Sequence, residues 1–297
     1  MSRINADRAA GRHSRLSGWD NAMSYKNLLV NLGLRADNSA VLAIAAELVT
    51  RFGARAIGVA ACQPYQVPAD EPLGTDGVIG PEESEIVREF AEVEAQFRAA
   101  MHGRTHDVQW RFGITLAPLA DFIAEQARAA DLIVTGHHGK AHSDSLRQVP
   151  VGDLVMRAGR PVLLVPQWVR SLAMRHAFVG WKEGRETRRA AADAIPLLRE
   201  ASRVTVLEIC AQERRDMAQN DVEDVAAWLV THGVNAVAQS LCAVGGEGEH
   251  LRAELLDRKC DLLVAGAYGH AQLREWAFGG VTRDMLLNPD FCVLISH

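Results

Sequence analysis

Apolar residues along this chain fall into two patterns: short continuous runs, and longer stretches in which they recur every three or four positions. Runs such as 131–136 (DLIVTG) and 261–266 (DLLVAG) are too short for a helix and end at glycine. That is how a strand buried on both faces reads. Between the runs, Val41, Leu42, Ile44, Ala45, Leu48, Val49 and Phe52 share one helical face. The pattern predicts strands near 27–31, 55–61, 107–112, 131–135 and 161–165, separated by helices near 38–52, 83–102, 117–129 and 152–158. The second half predicts strands near 176–181, 203–209, 234–240, 261–265 and 291–295, with helices near 186–200, 216–232, 247–258 and 282–288. Pro196 should kink or shorten the first of these helices. Alternating β and α elements with strands rich in Val, Ile and Leu predict an α/β fold of open parallel sheets covered by helices on both faces.

The two halves are copies of one unit. At the offset that aligns 131–136 with 261–266, Gly139 falls on Gly269, Val151 on Val281, and the run 162–165 on 292–295. Upstream, residues 28–30 (LLV) match 177–179 (AFV), and the first copy carries a longer loop. That loop, about 62–82, holds Pro64, Pro68, Pro72 and Pro81 and is expected to be irregular and exposed. The expected organisation is a unit over 23–167, a short connection, and a second unit over 175–297. Each unit is a doubly wound parallel five-stranded sheet, and the pair imitates a two-fold homodimer. Residues 1–22 carry arginines without apolar periodicity and read as a disordered tail, with Met23 looking like a natural start.

Composition narrows the class. The chain has 297 residues, 48% hydrophobic and 23% charged, with a formal net charge of −5. Disordered and collagen-like readings are excluded. No apolar run approaches the ~20 residues of a membrane span, and the N-terminal arginines are not followed by a signal-peptide core, so a cytoplasmic location is expected. A slightly acidic chain has no overall basic bias for a nucleic-acid backbone, and none is expected as a partner. The cysteines, at 62, 210, 242, 260 and 292, form neither CxxC pairs nor a framework and read as reduced, buried thiols.

The segment that carries chemistry follows the fourth strand of the second copy. There Gly266 and Gly269, then His270 and Arg274, lead to Gly279, Gly280, Val281 and Thr282 at the start of a helix. Glycines at a strand end let backbone approach a ligand, and N–H groups at a helix start make a nest for phosphate. This GxxG, nine residues, then Gly and a small residue resembles the nucleotide-binding loop of the universal stress protein family. The resemblance covers residues 23–297, as a tandem pair. It implies strand order 3-2-1-4-5, fifth strands pairing across a dimer or an intramolecular pseudo-dimer, and ATP held by ribose and phosphates on this loop. It also implies a stress-response, regulatory or protective role, in a family whose members are mostly not established enzymes.

The sequence departs from the ATP-binding pattern. Gly280 stands where the family has Ser or Thr, with Thr282 close enough to supply a hydroxyl. Lys182 stands where the resemblance calls for the Asp that engages adenine; an ammonium cannot accept a hydrogen bond from an amino group, though it attracts phosphate. Trp181 either stacks on a base or fills the core at a strand end. In the first copy Gly136 and Gly139 remain, but Val149 and Pro150 replace the later glycine and its neighbour, and Asp153 near the helix start would repel phosphate. The first copy is therefore expected not to bind ATP. His137, His138 and His142 read as exposed loop histidines rather than metal ligands, and no metal is expected except Mg²⁺ through a ligand's phosphates. No nucleophile elbow, P-loop or HExxH motif is present. A nucleotide-binding regulator is the leading expectation. A module binding partners or small ligands through relic sites is the alternative, and a weak ATPase trails both. Association of whole chains into a homodimer also remains open.

Overall fold

The computed structural model describes residues 24–64, 81–137, 146–267 and 290–297, with 81–83 as backbone. The predicted tail, most of the first copy's long loop, and the helix predicted at 282–288 lie outside the described residues. The first half contains β1 (Asn27–Asn31), α1 (Ser39–Phe52), β2 (Arg55–Cys62), α2 (Pro81–Met101), β3 (Val108–Ile114), α3 (Leu119–Gln126), β4 (Leu132–Gly136), α4 (Val151–Ala158) and β5 (Val162–Val165). The second contains β6 (His176–Gly180), α5 (Arg185–Asp193), α6 (Ile195–Leu198), β7 (Arg203–Cys210), α7 (Arg215–Thr231), β8 (Ala236–Cys242), α8 (Glu247–Asp257), β9 (Leu262–Gly266) and β10 (Cys292–Ser296). The break between α5 and α6 is the effect expected of Pro196, which sits in the first turn of α6 and has no N–H to continue α5.

The strands form one continuous ten-stranded sheet in the order β3-β2-β1-β4-β5-β10-β9-β6-β7-β8. Each half thus has the expected 3-2-1-4-5 order, all parallel within the half. The halves meet through antiparallel β5 and β10, with Leu164 opposite Val293, Leu163 opposite Leu294 and Val162 opposite Ile295. The pseudo-dimer implied by the sequence resemblance is therefore built into one sheet.

Side chains alternate between two cores. One face gathers Leu28, Val30, Ala177, Val179, Val204 and Val206 under α1, α2, α5, α6 and α7, and this core runs unbroken across both halves. The other packs Leu29, Ile133, Phe178, Leu207, Leu263 and Val293 under α3, α4 and α8. Helices on both faces leave the carboxyl ends of β1 and β4, and of β6 and β9, as the places where strand order reverses, and ligands of open α/β sheets bind there. None of the five cysteines is paired in a disulfide; Cys62, Cys210 and Cys292 are buried, whereas Cys242 and Cys260 are half-buried, short of the burial expected of them. Burial pushes the Cys292 thiol up to about 12, so it stays protonated. Among the described residues no helix is long and apolar enough to cross a membrane.

Candidate functional site

The second half's switch point is built from the ends of β6 and β9. Gly266 closes β9, and a Cβ there would lie 2.5 Å from the Thr187 nitrogen and 2.6 Å from the Glu186 carbonyl carbon. The first turn of α5 therefore rests directly on Gly266. This gives that glycine a packing reason of its own, because any side chain would drive α5 off the sheet. Gly269, His270, Gly279, Gly280, Val281 and Thr282 lie outside the described residues.

Trp181 and Lys182 follow β6. Trp181 is buried at 6% exposure and belongs to the core that spans both halves, which favours the strand-end filling role over an open stacking platform. Its Nε1–H has no hydrogen-bond partner. Lys182 is half exposed and pairs with Glu247 at the start of α8, Nζ to Oε2 3.2 Å. The acid that the resemblance expects at this strand end is thus replaced by an ion pair joining β6 to α8.

A carboxylate does lie on the neighbouring strand. Glu208 of β7 is 2% exposed, its Oε2 has no partner, and Arg214 reaches Oε1 only at 3.8 Å. Burial raises its carboxyl above the ordinary value, while the Arg214 guanidinium pulls it down. Glu208 was not among the expected site residues. Its signal was an acid within the apolar run VTVLEIC, at the same alternation as Val204 and Val206.

Near the first half's switch point, charged and polar side chains of the described residues bond to one another. Glu89 of α2, 8% exposed, accepts from Arg35 in the β1–α1 loop and from Arg147 ahead of α4, the latter at 3.0 Å. Arg35 holds φ +53°, a backbone conformation uncommon for a residue with a side chain, and also reaches Glu85 at 2.7 Å. The Gln63 N–H donates to the Leu146 carbonyl at 2.7 Å, stitching the end of β2 to the segment before α4. Asn38 and Gly33 exchange two bonds of 3.0 and 2.9 Å, and Asn31 donates to Thr135 across β1 and β4 at 2.9 Å. A carboxylate held between two arginines neutralises part of the positive charge that could otherwise draw an anion to them. Asp153 falls in the first turn of α4 behind Pro150, as expected.

Two expectations about histidine meet the structure differently. His137 is buried at 7%, not exposed, because it follows β4 directly and its N–H bonds to the Val165 carbonyl at 3.0 Å. His138 and His142 lie outside the described residues. Among the described residues no three His, Cys, Asp or Glu side chains are grouped to hold a metal ion.

Solved structures share this architecture. A universal stress protein from Archaeoglobus fulgidus DSM 4304 aligns with a TM-score of 0.69 at 11% identity, covering 91% of this chain and 95% of its own. A protein from Pseudomonas aeruginosa UCBPP-PA14 assigned to the universal stress proteins aligns at 0.58 with 13% identity, covering 93% and 94%. A functionally unknown protein from Pseudomonas aeruginosa PAO1 aligns at 0.57 with 12% identity, covering 93% of each chain. No family model matches the chain, and no curated protein matches it either. At these identities the likeness is one of fold: the chain has the universal stress protein fold, twice over in one sheet.

Proposed function

We propose that the chain is a tandem universal stress protein, a cytoplasmic stress-response regulator or protective binding protein whose second unit takes ATP or another nucleotide. The first unit is residues 23–167, the second 175–297, and 1–22 are a tail. Phosphates would rest on Gly266, Gly269, His270, Gly279, Gly280, Val281 and Thr282, with Trp181 and Lys182 bordering base or ribose. Mg²⁺ would be held through phosphate oxygens.

The observation that carries this reading is the asymmetry of the two switch points. In the first half the Arg35–Glu89–Arg147 cluster occupies the edge. In the second half the strand end carries a half-exposed ammonium paired with Glu247, and behind it lie a buried indole N–H and a buried carboxylate oxygen without partners. The test is calorimetric titration with ATP and Mg²⁺, with AMP as control, on the native chain and on Gly269→Val, which adds bulk where backbone must approach phosphate. Saturable binding at one site per chain, lost in the variant, is the expected result.

A module for protein partners or small ligands is the second reading. The Lys182–Glu247 pair favours it, since an ammonium already matched by a carboxylate draws phosphate less strongly. Absence of heat up to about millimolar ATP, an affinity of only ~4 kcal/mol, would move the assignment there. No turnover is proposed.

A further inference from the structure

A groove of ≈ 680 Å³ runs along the outer side of α1, bounded by Ala100 and Arg104 at the end of α2 and by Arg170 and Ser171 of the connection between the halves. From Ser39 to Thr50 the helix gives it a length of about 16 Å. Its volume lies in the range of small-molecule sites. Leu42, Ala43, Ala46 and Ala100 supply an apolar floor, and the guanidiniums of Arg51, Arg104 and Arg170 line it.

The charges are matched at one end of the groove and not at the other. Near the start of α1, Arg170 donates to the Gln167 and Val169 carbonyls and lies 4.0 Å from the Asp37 carboxylate. At the end of α1, Glu47 is the one carboxylate among the lining residues, and both its oxygens are engaged, Oε1 by Arg51 and Oε2 by the Leu172 N–H at 3.0 Å. Arg51 keeps an Nη1 shut off from water and without a partner. The exposed Arg104 guanidinium reaches the Thr50 hydroxyl at 3.4 Å and makes no ion pair among the described residues. A partly dry guanidinium short of counter-charge costs folding free energy, and an anion brought to it offsets that cost. A smaller cavity of ≈ 230 Å³ between the halves shows the opposite case: Arg160 and Arg189 share it with Asp131 and Asp193, and Arg189 already holds Asp193 through both carboxylate oxygens.

We propose that the α1 groove binds a small amphiphilic carboxylate. Its head accepts hydrogen bonds from Arg104 and the Ser171 hydroxyl in the field of Arg51, and its apolar body lies over Ala100, Ala46, Ala43 and Leu42. The Glu47 carboxylate beside the head favours a single negative charge over the double charge of a phosphate. This site is separate from the nucleotide site proposed for the second unit and stands or falls without it.

The experiment titrates octanoate calorimetrically into the full chain, against acetate, which keeps the head and lacks the body, and octanol, which keeps the body and lacks the charge. Octanoate is expected to bind saturably at one site per chain and at least about tenfold more tightly than either. Arg104→Gln should weaken it several-fold, while Arg170→Gln, at the matched end, should leave it within about twofold. Ala43→Leu places a good helix former on the floor and should cost octanoate at least about tenfold, with an unchanged circular dichroism spectrum showing that the variant folds. Gly269→Val, in the proposed nucleotide loop, should leave octanoate binding as it is. No saturation up to about 10 mM octanoate would overturn the inference. So would acetate or octanol binding as tightly as octanoate, or an octanoate affinity unchanged in Arg104→Gln and Ala43→Leu.

Discussion

Gly58 sits in the middle of β2 where a methyl group has no room. A Cβ there would meet the Phe97 ring at 2.6 Å and the Trp110 ring at 2.7 Å, two aromatic rings already packed with centroids 5.9 Å apart. Gly58→Ala must push one ring off its place, so about 1–3 kcal/mol of stability should be lost, measured by urea unfolding. A neutral result would mean that α2 can slide outward freely. His176 makes a second prediction, about pH. Burial lowers its pKa from the usual value near 6.5, with the Arg203 charge adding to the effect, and the ring bonds to the Thr205 hydroxyl at 2.9 Å. The folded state favours neutral imidazole, so this contribution to stability is fully present above the unfolded value and is lost as pH falls through the lowered folded one. His176→Gln should flatten the decline in melting temperature as pH falls below roughly 6.5; an identical decline in the variant would place the acid sensitivity elsewhere. Residues of this kind were only partly legible. Trp181 was visible as either core or stacking residue, and burial now favours the core. Glu208 stands as an acid in an apolar run, yet the unpartnered state of its Oε2 depends on neighbours from other strands and could not be read from sequence spacing.

Helix α2 is anchored by an apolar stripe and by one buried carboxylate. Ile86, Phe90, Val93 and Phe97 form its buried stripe, and Glu89 joins that stripe to hold Arg35 and Arg147 together. Removing a carboxylate from between two guanidiniums leaves positive charges close together near the core. Arg147 is only 10% exposed at its side chain, whereas Arg35 is 49% exposed and water moderates its share. Glu89→Ala should therefore cost about 2–3 kcal/mol and speed hydrogen exchange in α2 and in the segment before α4. Exchange raised in α2 alone would show that Arg147 is held by its other contacts. Element positions were the most legible part of this fold because periodicity is a local property: α1, β7 and α8 fall within a residue or so of expectation. The Glu89 cluster was not legible. Its partners stand 54 and 58 residues away along the chain, and nothing in the spacing of Arg35 or Arg147 distinguishes them from solvated arginines.

At the scale of the whole molecule, the sequence repeat and the strand pairing carry the same symmetry. Residues 162–165 and 292–295 are equivalent by sequence, and Leu163 pairs with Leu294 as Leu164 pairs with Val293. Exchanging the two copies therefore returns the same contacts, as in a two-fold dimer with self-complementary surfaces. Here the joint is a pair of central strands, buried throughout, rather than a docking of finished sheets. Other ties cross between the halves. The Tyr25 hydroxyl donates to the Asp193 carbonyl at 2.6 Å, and Leu172 of the connection exchanges bonds with Glu47 and Arg51 of α1 at 3.0 and 3.1 Å. One core, containing Leu163, Leu294 and side chains of both halves, lies beneath these ties. A sheet joined in this way should unfold as a unit, since opening either half exposes the apolar faces and backbone groups of its fifth strand to water. In urea, tryptophan fluorescence and far-ultraviolet circular dichroism should follow the same single transition, and two separated transitions would mean that each half stands alone. Leu294→Pro sharpens the test. Proline removes a ladder N–H from a central strand and should cost at least about 3 kcal/mol. If the joint couples the halves, the loss will lower the unfolding midpoint reported by Trp110 on β3 as well as that reported by Trp228 on α7, although only Trp228 lies in the half that carries the substitution. Single-tryptophan variants separate the two reporters. A midpoint shift confined to Trp228 would show that the continuous sheet is a geometric junction without thermodynamic coupling.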